Sequence, residues 1–257
     1  MLARPRLIMI YRVQLEVSRV GRAVIKEEKV MSEVLSIDIG GSHVKVRIPS
    51  DPEKRRFTSG PDLTPQQMVD GVKTCIEGWD IDRVSIGIPA PIRKNTAVID
   101  PVNLGSGWAG FDFSDAFGFP TRVTNDAAMQ AIGSYEGGSM LFMGLGTGLG
   151  TCLINQYVVQ PTEIAHMPYR HGHTFEDAVG EAGLEKVGKK AWRQEVCKIA
   201  EILYHGLLPD YIVLGGGNSK KFKADDQMPE FCRRGDNANA FEGGFRMWLP
   251  EWERTSS

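Results

Sequence analysis

Val34-Leu-Ser-Ile-Asp-Ile-Gly-Gly-Ser-His-Val-Lys-Val-Arg-Ile48 decides the fold class. Its first six residues form a short β-rich run, Gly40 and Gly41 close it, and Val44 to Ile48 alternates apolar and polar residues as a half-buried strand does. Two such runs with a glycine pair between them predict a β-hairpin. The signal returns in Met140-Leu-Phe-Met-Gly-Leu-Gly-Thr-Gly-Leu-Gly150, a strand that turns into a glycine loop, with Gly150-Thr-Cys-Leu-Ile154 as its partner. A hairpin-plus-glycine unit that occurs twice predicts two similar lobes around a cleft.

Working outward, Thr64 to Trp79 reads as an amphipathic helix, with Thr64 as a cap before Pro65 and Met68, Val72, Cys75 and Ile76 on one face. Arg83-Val-Ser-Ile-Gly-Ile-Pro89 is a buried strand stopped by proline, and Pro120-Thr-Arg-Val-Thr-Asn-Asp126 is another, followed by a helix from Ala127 to Tyr135. Glu176 to Trp192 and Arg193 to His205 read as helices, and Tyr211-Ile-Val-Leu214 is an apolar strand ending in Gly215, Gly216 and Gly217. Alternating strands and helices predict an α/β protein.

The 257 residues, 42% hydrophobic and 24% charged, suffice for one large domain or two lobes. A net charge of −2 supplies no global basic field to recruit nucleic acid or an anionic membrane. A local phosphate site stays open, because backbone N–H groups bind phosphate without a basic composition. Cys75, Cys152, Cys197 and Cys232 include no CxxC pair, which argues against a zinc site or a disulfide framework and for apolar fillers in a reducing cytoplasm. Residues 1–32 scatter Arg4, Arg6, Arg12, Arg19 and Arg22 among short apolar groups that fall well below the ~18 residues of a membrane span. Folding proper is expected to begin near Ser32, which leaves 1–32 as an N-terminal extension, open to disorder, or a misassigned start. A small N-terminal lobe is expected over 33–122, with 238–257 packing back on it, and a large C-terminal lobe over 123–237.

Three glycine clusters end short apolar strands: Asp38-Ile-Gly-Gly-Ser42, Gly144 to Gly150, and Gly215-Gly-Gly-Asn218. Glycine lets backbone amides approach an anion closely. One such cluster is commonly a turn, whereas three at strand ends are harder to dismiss. The middle cluster superficially offers a dinucleotide fingerprint, but a strand-like run follows it where that fingerprint needs a helix. Asp38 suits either a Mg²⁺ held through water beside a phosphate chain or the stabilisation of a turn. Lys45 suits a phosphate or a solvated strand position. Asn125-Asp126 reads first as a helix cap, and second as a base for an attacking hydroxyl with an amide that holds a sugar. Glu163, His166 and Glu176 suit the hydroxyl ring of a hexose or an ordinary charged surface. His171 and His173 read as loop histidines.

Assembled in order, these motifs resemble the ROK family of sugar kinases and repressors, within the actin-like ATPase superfamily, and are similar to its bacterial polyphosphate glucokinase branch. The resemblance runs from about Val34 to Trp248. Asp38-Ile-Gly-Gly-Ser-His-Val-Lys45 resembles the first phosphate loop and Leu145-Gly-Thr-Gly-Leu-Gly150 the second. Thr124-Asn-Asp-Ala-Ala128 resembles the segment of the catalytic Asp, and Thr162-Glu-Ile-Ala-His-Met167 the sugar-binding segment. Gly180-Glu-Ala-Gly-Leu184, Gly188-Lys-Lys-Ala-Trp192 and Cys232 to Arg246 resemble the polyphosphate branch in particular.

The resemblance implies a two-lobed actin-like (ribonuclease H-like) fold with a central cleft, and Mg²⁺-dependent phosphorylation of the 6-hydroxyl of glucose or a related hexose. It implies Asp126 as catalytic base and substrate contacts from Asn103, Asn125, Asp126, Glu163, His166 and Glu176. Phosphate or nucleotide contacts follow for Asp38, Gly40, Gly41, Ser42, Lys45, Gly146, Thr147, Gly148, Gly215, Gly216 and Gly217, with Asp38 holding Mg²⁺ through water and no zinc site. The donor is ATP or inorganic polyphosphate, and Lys186, Lys189, Lys190 and Arg193 offer one basic track for the latter. A homodimer is implied, with neither a nucleic-acid nor a membrane partner. His43, Val46 and Ala165, and Gly87-Ile-Pro-Ala-Pro91, depart from the family pattern. The rivals are a sugar-responsive repressor, which needs a helix-turn-helix ahead of the sugar domain, and a non-catalytic sugar sensor.

Overall fold

The computed structural model describes residues 10–17, 23–30, 33–223, 226–236 and 238–253. Within the N-terminal extension, β1 (Ile10–Val17) and β2 (Ala23–Val30) pair antiparallel as a two-stranded ribbon separate from the main sheets. The rest of that extension lies outside the described residues.

Both predicted hairpins form, and each nucleates a five-stranded sheet. In the first, β3 (Val34–Ile39), β4 (His43–Arg47) and β5 (Arg55–Thr58) run antiparallel. Here β6 (Arg83–Ile88) joins β3 in parallel and, after the short pair β7 (Ile92–Arg93) and β8 (Thr96–Ala97), β9 (Thr121–Asn125) joins β6, giving the order β5-β4-β3-β6-β9. The second sheet repeats the plan. In it, β10 (Ser139–Leu145), β11 (Leu149–Asn155) and β12 (Val158–Thr162) are antiparallel, and β13 (Tyr211–Gly215) and β14 (Cys232–Arg234) continue in parallel, in the order β12-β11-β10-β13-β14. The two lobes are therefore topological copies, as the doubled hairpin predicts.

Each sheet buries one face under its own helices. The helix α1 (Pro65–Cys75) starts where its capping box demands: Gln67 N–H donates to Thr64 Oγ1 at 3.3 Å and Thr64 N–H donates back to Gln67 Oε1 at 2.9 Å. Met68, Val69 and Val72 of α1 join Leu35, Ile37, Ile39, Val44 and Val46 in the first core. Each such side chain contributes roughly 1.5–3 kcal/mol of burial. The helix stops before the expected Trp79, because Gly78 takes φ +85° and Trp79 turns under the Arg55 guanidinium, 4.0 Å away. A short α2 (Phe113–Phe117) completes this layer.

The helices of the second lobe break differently from expectation. One predicted helix over 176–192 is two, α4 (Phe175–Val179) and the start of α5 (Glu181–Leu207), and α5 then runs unbroken through the expected boundary at Trp192-Arg193. The break at Gly180 (φ −69°, ψ −179°) has a tertiary partner, since Glu181 N–H there donates to Thr147 O at 3.1 Å. A second irregularity, at Gly188 (φ 73°, ψ 163°), kinks α5.

Two helices join the lobes. One is α3 (Asp126–Ser134), which leaves the first sheet directly from β9 and packs on β10 and β11 of the second. The other is α6 (Asn239–Arg246), which crosses α3 and lies on β3 and β6, where Ser85 Oγ donates to Gly244 O at 2.7 Å. Beyond it Trp248 Nε1 donates to Ser85 Oγ at 2.8 Å, and α7 (Pro250–Glu253) carries Trp252 into an edge-to-face cluster with Tyr135 and Tyr157. The C-terminal segment thus grips the first sheet with one tryptophan and the second lobe with the next.

Candidate active site

The lobes meet around the first turn of α3. Asn125 is its N-cap: Oδ1 accepts from Ala127 N–H at 2.9 Å and Ala128 N–H at 3.2 Å, while Nδ2 donates to Ala90 O at 3.3 Å. The capping role that the Asn-Asp pair suggests therefore falls chiefly to Asn125. Its neighbour Asp126 accepts from Ala127 N–H through Oδ1 at 2.8 Å, which leaves Oδ2 without a partner among the described residues. A hydroxyl contact from Asn125 would have to use its second Nδ2 proton.

Two glycines let α3 come this close to both sheets. A Cβ on Gly87 of β6 would meet Asp126 Cα at 3.3 Å and Met129 Cε at 2.7 Å, and one on Gly150 of β11 would meet Ala127 Cβ at 2.7 Å. The Asp126 carboxyl is consequently half-buried at the seam. Burial pushes it up to about 6; the negative charge of Asp38 adds to that push, and Glu163 adds less, against the opposing hydrogen bonds from Ala127 N–H and its own backbone.

Asp38 ends β3 opposite Lys45, its register partner across the hairpin, and Lys45 Nζ lies 3.2 Å from Asp38 Oδ2. Gly40, Gly41 and Ser42 make the turn between them, held by Gly40 N–H donating to His43 O at 3.0 Å and by Ser59 Oγ donating to Gly40 O at 2.5 Å. Asn103 approaches this turn, since a Cβ on Gly41 would sit 3.5 Å from its Cβ. The Asp38 side chain is 16% exposed, and its Oδ1 makes no hydrogen bond among the described residues. One open carboxylate oxygen beside a glycine turn fits a Mg²⁺ that keeps its waters and arrives with a phosphate chain.

On the opposite lobe, Gly146, Thr147 and Gly148 form the β10–β11 turn, with Gly146 N–H donating to Gly148 O at 3.0 Å. Glu176 sits against this turn, its Oε2 accepting from Leu149 N–H at 2.9 Å. The residue the sequence offers as a sugar ligand is thus also a brace of the second loop. Gly215, Gly216 and Gly217 pass at the end of β13, with Gly216 packed on the backbone of Leu145. Asn218, just beyond, donates through Nδ2 to Gly146 O at 3.3 Å and to Glu181 Oε2. Sequence reasoning missed this Glu181–Asn218 bridge, and no local pattern marks it, because its halves lie on α5 and after β13.

Glu163 and His166 flank a single 3₁₀ turn, exposed, with Oε2 and Nε2 3.5 Å apart. Glu163 is near enough to influence the Asp126 carboxyl, so the sugar-segment and base residues converge. Arg193 goes elsewhere: its guanidinium donates to Lys221 O at 2.9 Å and pairs with Asp226 at 3.1 Å. His173 Nδ1 lies 3.8 Å from Oδ2 of Asp177, in the first turn of the neighbouring α4.

Known proteins share this fold. The ROK family model matches residues 34–183. Polyphosphate glucokinase of Mycobacterium tuberculosis (strain H37Rv) is 23% identical over 215 residues, 75% of this chain and 80% of that protein. The crystal structure of inorganic polyphosphate/ATP-glucomannokinase from Arthrobacter sp. strain KM superposes with a TM-score of 0.71 at 20% identity, covering 83% of this chain and 96% of that one. A ROK family glucokinase from Streptomyces griseus, in complex with glucose and AMPPNP, gives 0.62 at 16% identity, with 83% and 98% coverage. The duplicated sheet order and a family match over more than half of its length leave one assignment: the chain belongs to the ROK family and has its two-lobed actin-like ATPase fold.

Proposed function

We propose that this protein is a hexose kinase that moves the terminal phosphoryl group of a phosphate-chain donor to the 6-hydroxyl of glucose or a related hexose. The single observation that carries this reading is the Asp126 carboxyl, free at Oδ2 and raised to about 6, set between two glycine turns. Asp126 takes the hydroxyl proton as the sugar oxygen forms its bond to phosphorus. The bridging P–O bond of the donor breaks, and the shortened donor leaves with the electron pair. The amides of Gly41 and Ser42 in one turn and of Thr147 and Gly148 in the other supply N–H groups for the charge that spreads over the phosphoryl oxygens, since Gly40 and Gly146 N–H are spent within their turns. Asp38 would hold Mg²⁺ through water, and the ion would supply further positive charge there. Asn103, Glu163, His166 and Glu176 supply polar groups for the hexose hydroxyls. The relatives named as glucokinases and glucomannokinase support this reading.

A coupled assay with glucose and either ATP or inorganic polyphosphate tests it. Sugar binding with transfer from neither donor would refute the kinase and favour a sensor.

The pH dependence follows from the sign of the shift. A base must be ionised, so kcat/KM for the hexose should fall tenfold per pH unit below about 6, with the limb absent from sugar affinity. A limb near the ordinary carboxylate range, about 4, would show that another group acts as the base.

Gly148→Ala separates the brace from the fold. The added Cβ overlaps Glu176 Oε2, the mobile end of a side chain, so the turn survives while Glu176 is displaced from Leu149 N–H. Thermal stability should change by less than about 1 kcal/mol, whereas kcat/KM should fall by about 10²-fold through misplacement of the site. Differential scanning fluorimetry with steady-state kinetics measures both.

A further inference from the structure

The inter-lobe face of the first sheet carries a row of cations that phosphoryl transfer, as described, does not use. Val44 and Val46 of β4 are fully buried in the first core, so His43, Lys45 and Arg47 project from the opposite face. Lys45 pairs in register with Asp38 on one side and with Arg56 on the other. Asp38, Lys45 and Arg56 therefore form a line across three strands, roughly 10 Å long at the usual strand spacing. The ion pair between Lys45 and Asp38 anchors its inner end beside Asp126. Its outer end is the sheet edge, because β5 is the last strand.

The two arginines of β5 divide their labour. Arg55 turns to the core side, where it donates to Cys75 O at 2.9 Å and Glu77 O at 3.0 Å and stacks on Trp79. Arg56 is exposed and makes no ion pair among the described residues. Arg47, one position along the same face, lies 5.8 Å over the Phe245 ring and reaches Asp51 O at 3.4 Å. In a chain of net charge −2, an uncompensated cation in line with the first phosphate turn is a local departure.

We propose that the row from Lys45 to Arg56, flanked by Arg47, is a binding track for donor phosphates beyond the transferred one, and that it favours a long linear inorganic polyphosphate. The proposal rests on the kinase reading for the identity of the donor. A chain of phosphates leaving the Gly40–Ser42 turn meets Lys45 first and the sheet edge next, with one cation per strand crossed. Of the alternative cations on α5, Arg193 is already paired with Asp226.

The test compares long-chain polyphosphate with tripolyphosphate by isothermal titration on the whole chain, for the parent, Arg56→Ala, Arg56→Glu and the α5 variant Lys189→Ala. Arg56→Ala should weaken long-chain binding about five- to tenfold, as loss of one charge-assisted contact does at an exposed site. Arg56→Glu should weaken it further, tripolyphosphate should change less than about twofold, and the salt dependence should flatten as for any polyelectrolyte that loses a cation contact. Lys189→Ala should leave both ligands unchanged. Equal weakening of both chain lengths, no weakening, or a parent that binds no long chain overturns the track. Glucose-dependent turnover of ATP, assayed separately, tells these failures from failure of the kinase reading.

Discussion

Asp126→Asn should lower phosphoryl transfer by about 10²–10⁴-fold while hexose affinity changes little. The amide keeps the shape of the carboxyl, and Asn125 rather than Asp126 supplies the principal side-chain cap of α3, so the helix start survives the change. What disappears is the carboxylate oxygen proposed to accept the hydroxyl proton. The same substitution should stabilise the fold at alkaline pH. The native state binds the Asp126 proton more tightly than the unfolded chain, whose carboxyl titrates near its ordinary value of about 4. Stability therefore drains away as pH rises from about 4 to about 6 and stays reduced above that. Asparagine does not titrate, so the variant should gain on the order of 1–3 kcal/mol over the parent at pH 8 and nothing below pH about 4. Chemical denaturation at both pH values, beside initial rates, measures the pair of effects. Retained turnover would remove Asp126 as the base, and an equal gain at both pH values would remove the burial argument.

Gly243→Ala should be severely destabilising. Helix propensity alone favours alanine by roughly 1 kcal/mol. Where α3 and α6 cross, however, a Cβ on Gly243 overlaps Met129 O, and one on Gly133 overlaps Asn239 O. These obstacles are backbone atoms and cannot rotate aside. The helices would have to part, and α6 would be drawn off Ser36 and Ser85 on the first sheet. The overpacking cost of about 3 kcal/mol or more exceeds the propensity gain, so the variant should melt well below the parent or fail to accumulate. A stability equal to the parent's would mean that the two helices do not pack as closely as this crossing requires. Gly60→Ala, where a Cβ meets nothing within 4 Å, is the matched control.

Much of this architecture was legible locally. The two hairpins, the three glycine strand ends and the Thr64 cap all rest on short-range rules: alternation sets the faces of a strand, and a glycine pair admits the turn. Helix ends were read less well. The expected helix over 176–192 breaks at Gly180, where Glu181 N–H turns to Thr147 O of the second glycine turn, and the expected end of α1 at Trp79 fails because Arg55 of β5 claims that ring. Neither partner is adjacent in sequence.

The candidate site divides the same way. Asp38, Lys45, Asn125, Asp126, Glu163, His166 and Glu176 were all nameable from residue type and context, yet their roles were not separable. Sequence spacing favours a helix cap for the Asn125-Asp126 pair without showing which of the two makes it. It places Glu176 among sugar ligands without showing its bond to Leu149 N–H, and it offers Arg193 as a free cation when Asp226 holds it. The amino-acid sequence by itself determined the doubled hairpin plan and the chemical types available, because those follow from each residue and its near neighbours. Only the tertiary structure decided which carboxyl is raised, which cations are spent and which strand faces meet, because proton affinity, ion pairing and steric exclusion depend on groups brought together from distant parts of the chain.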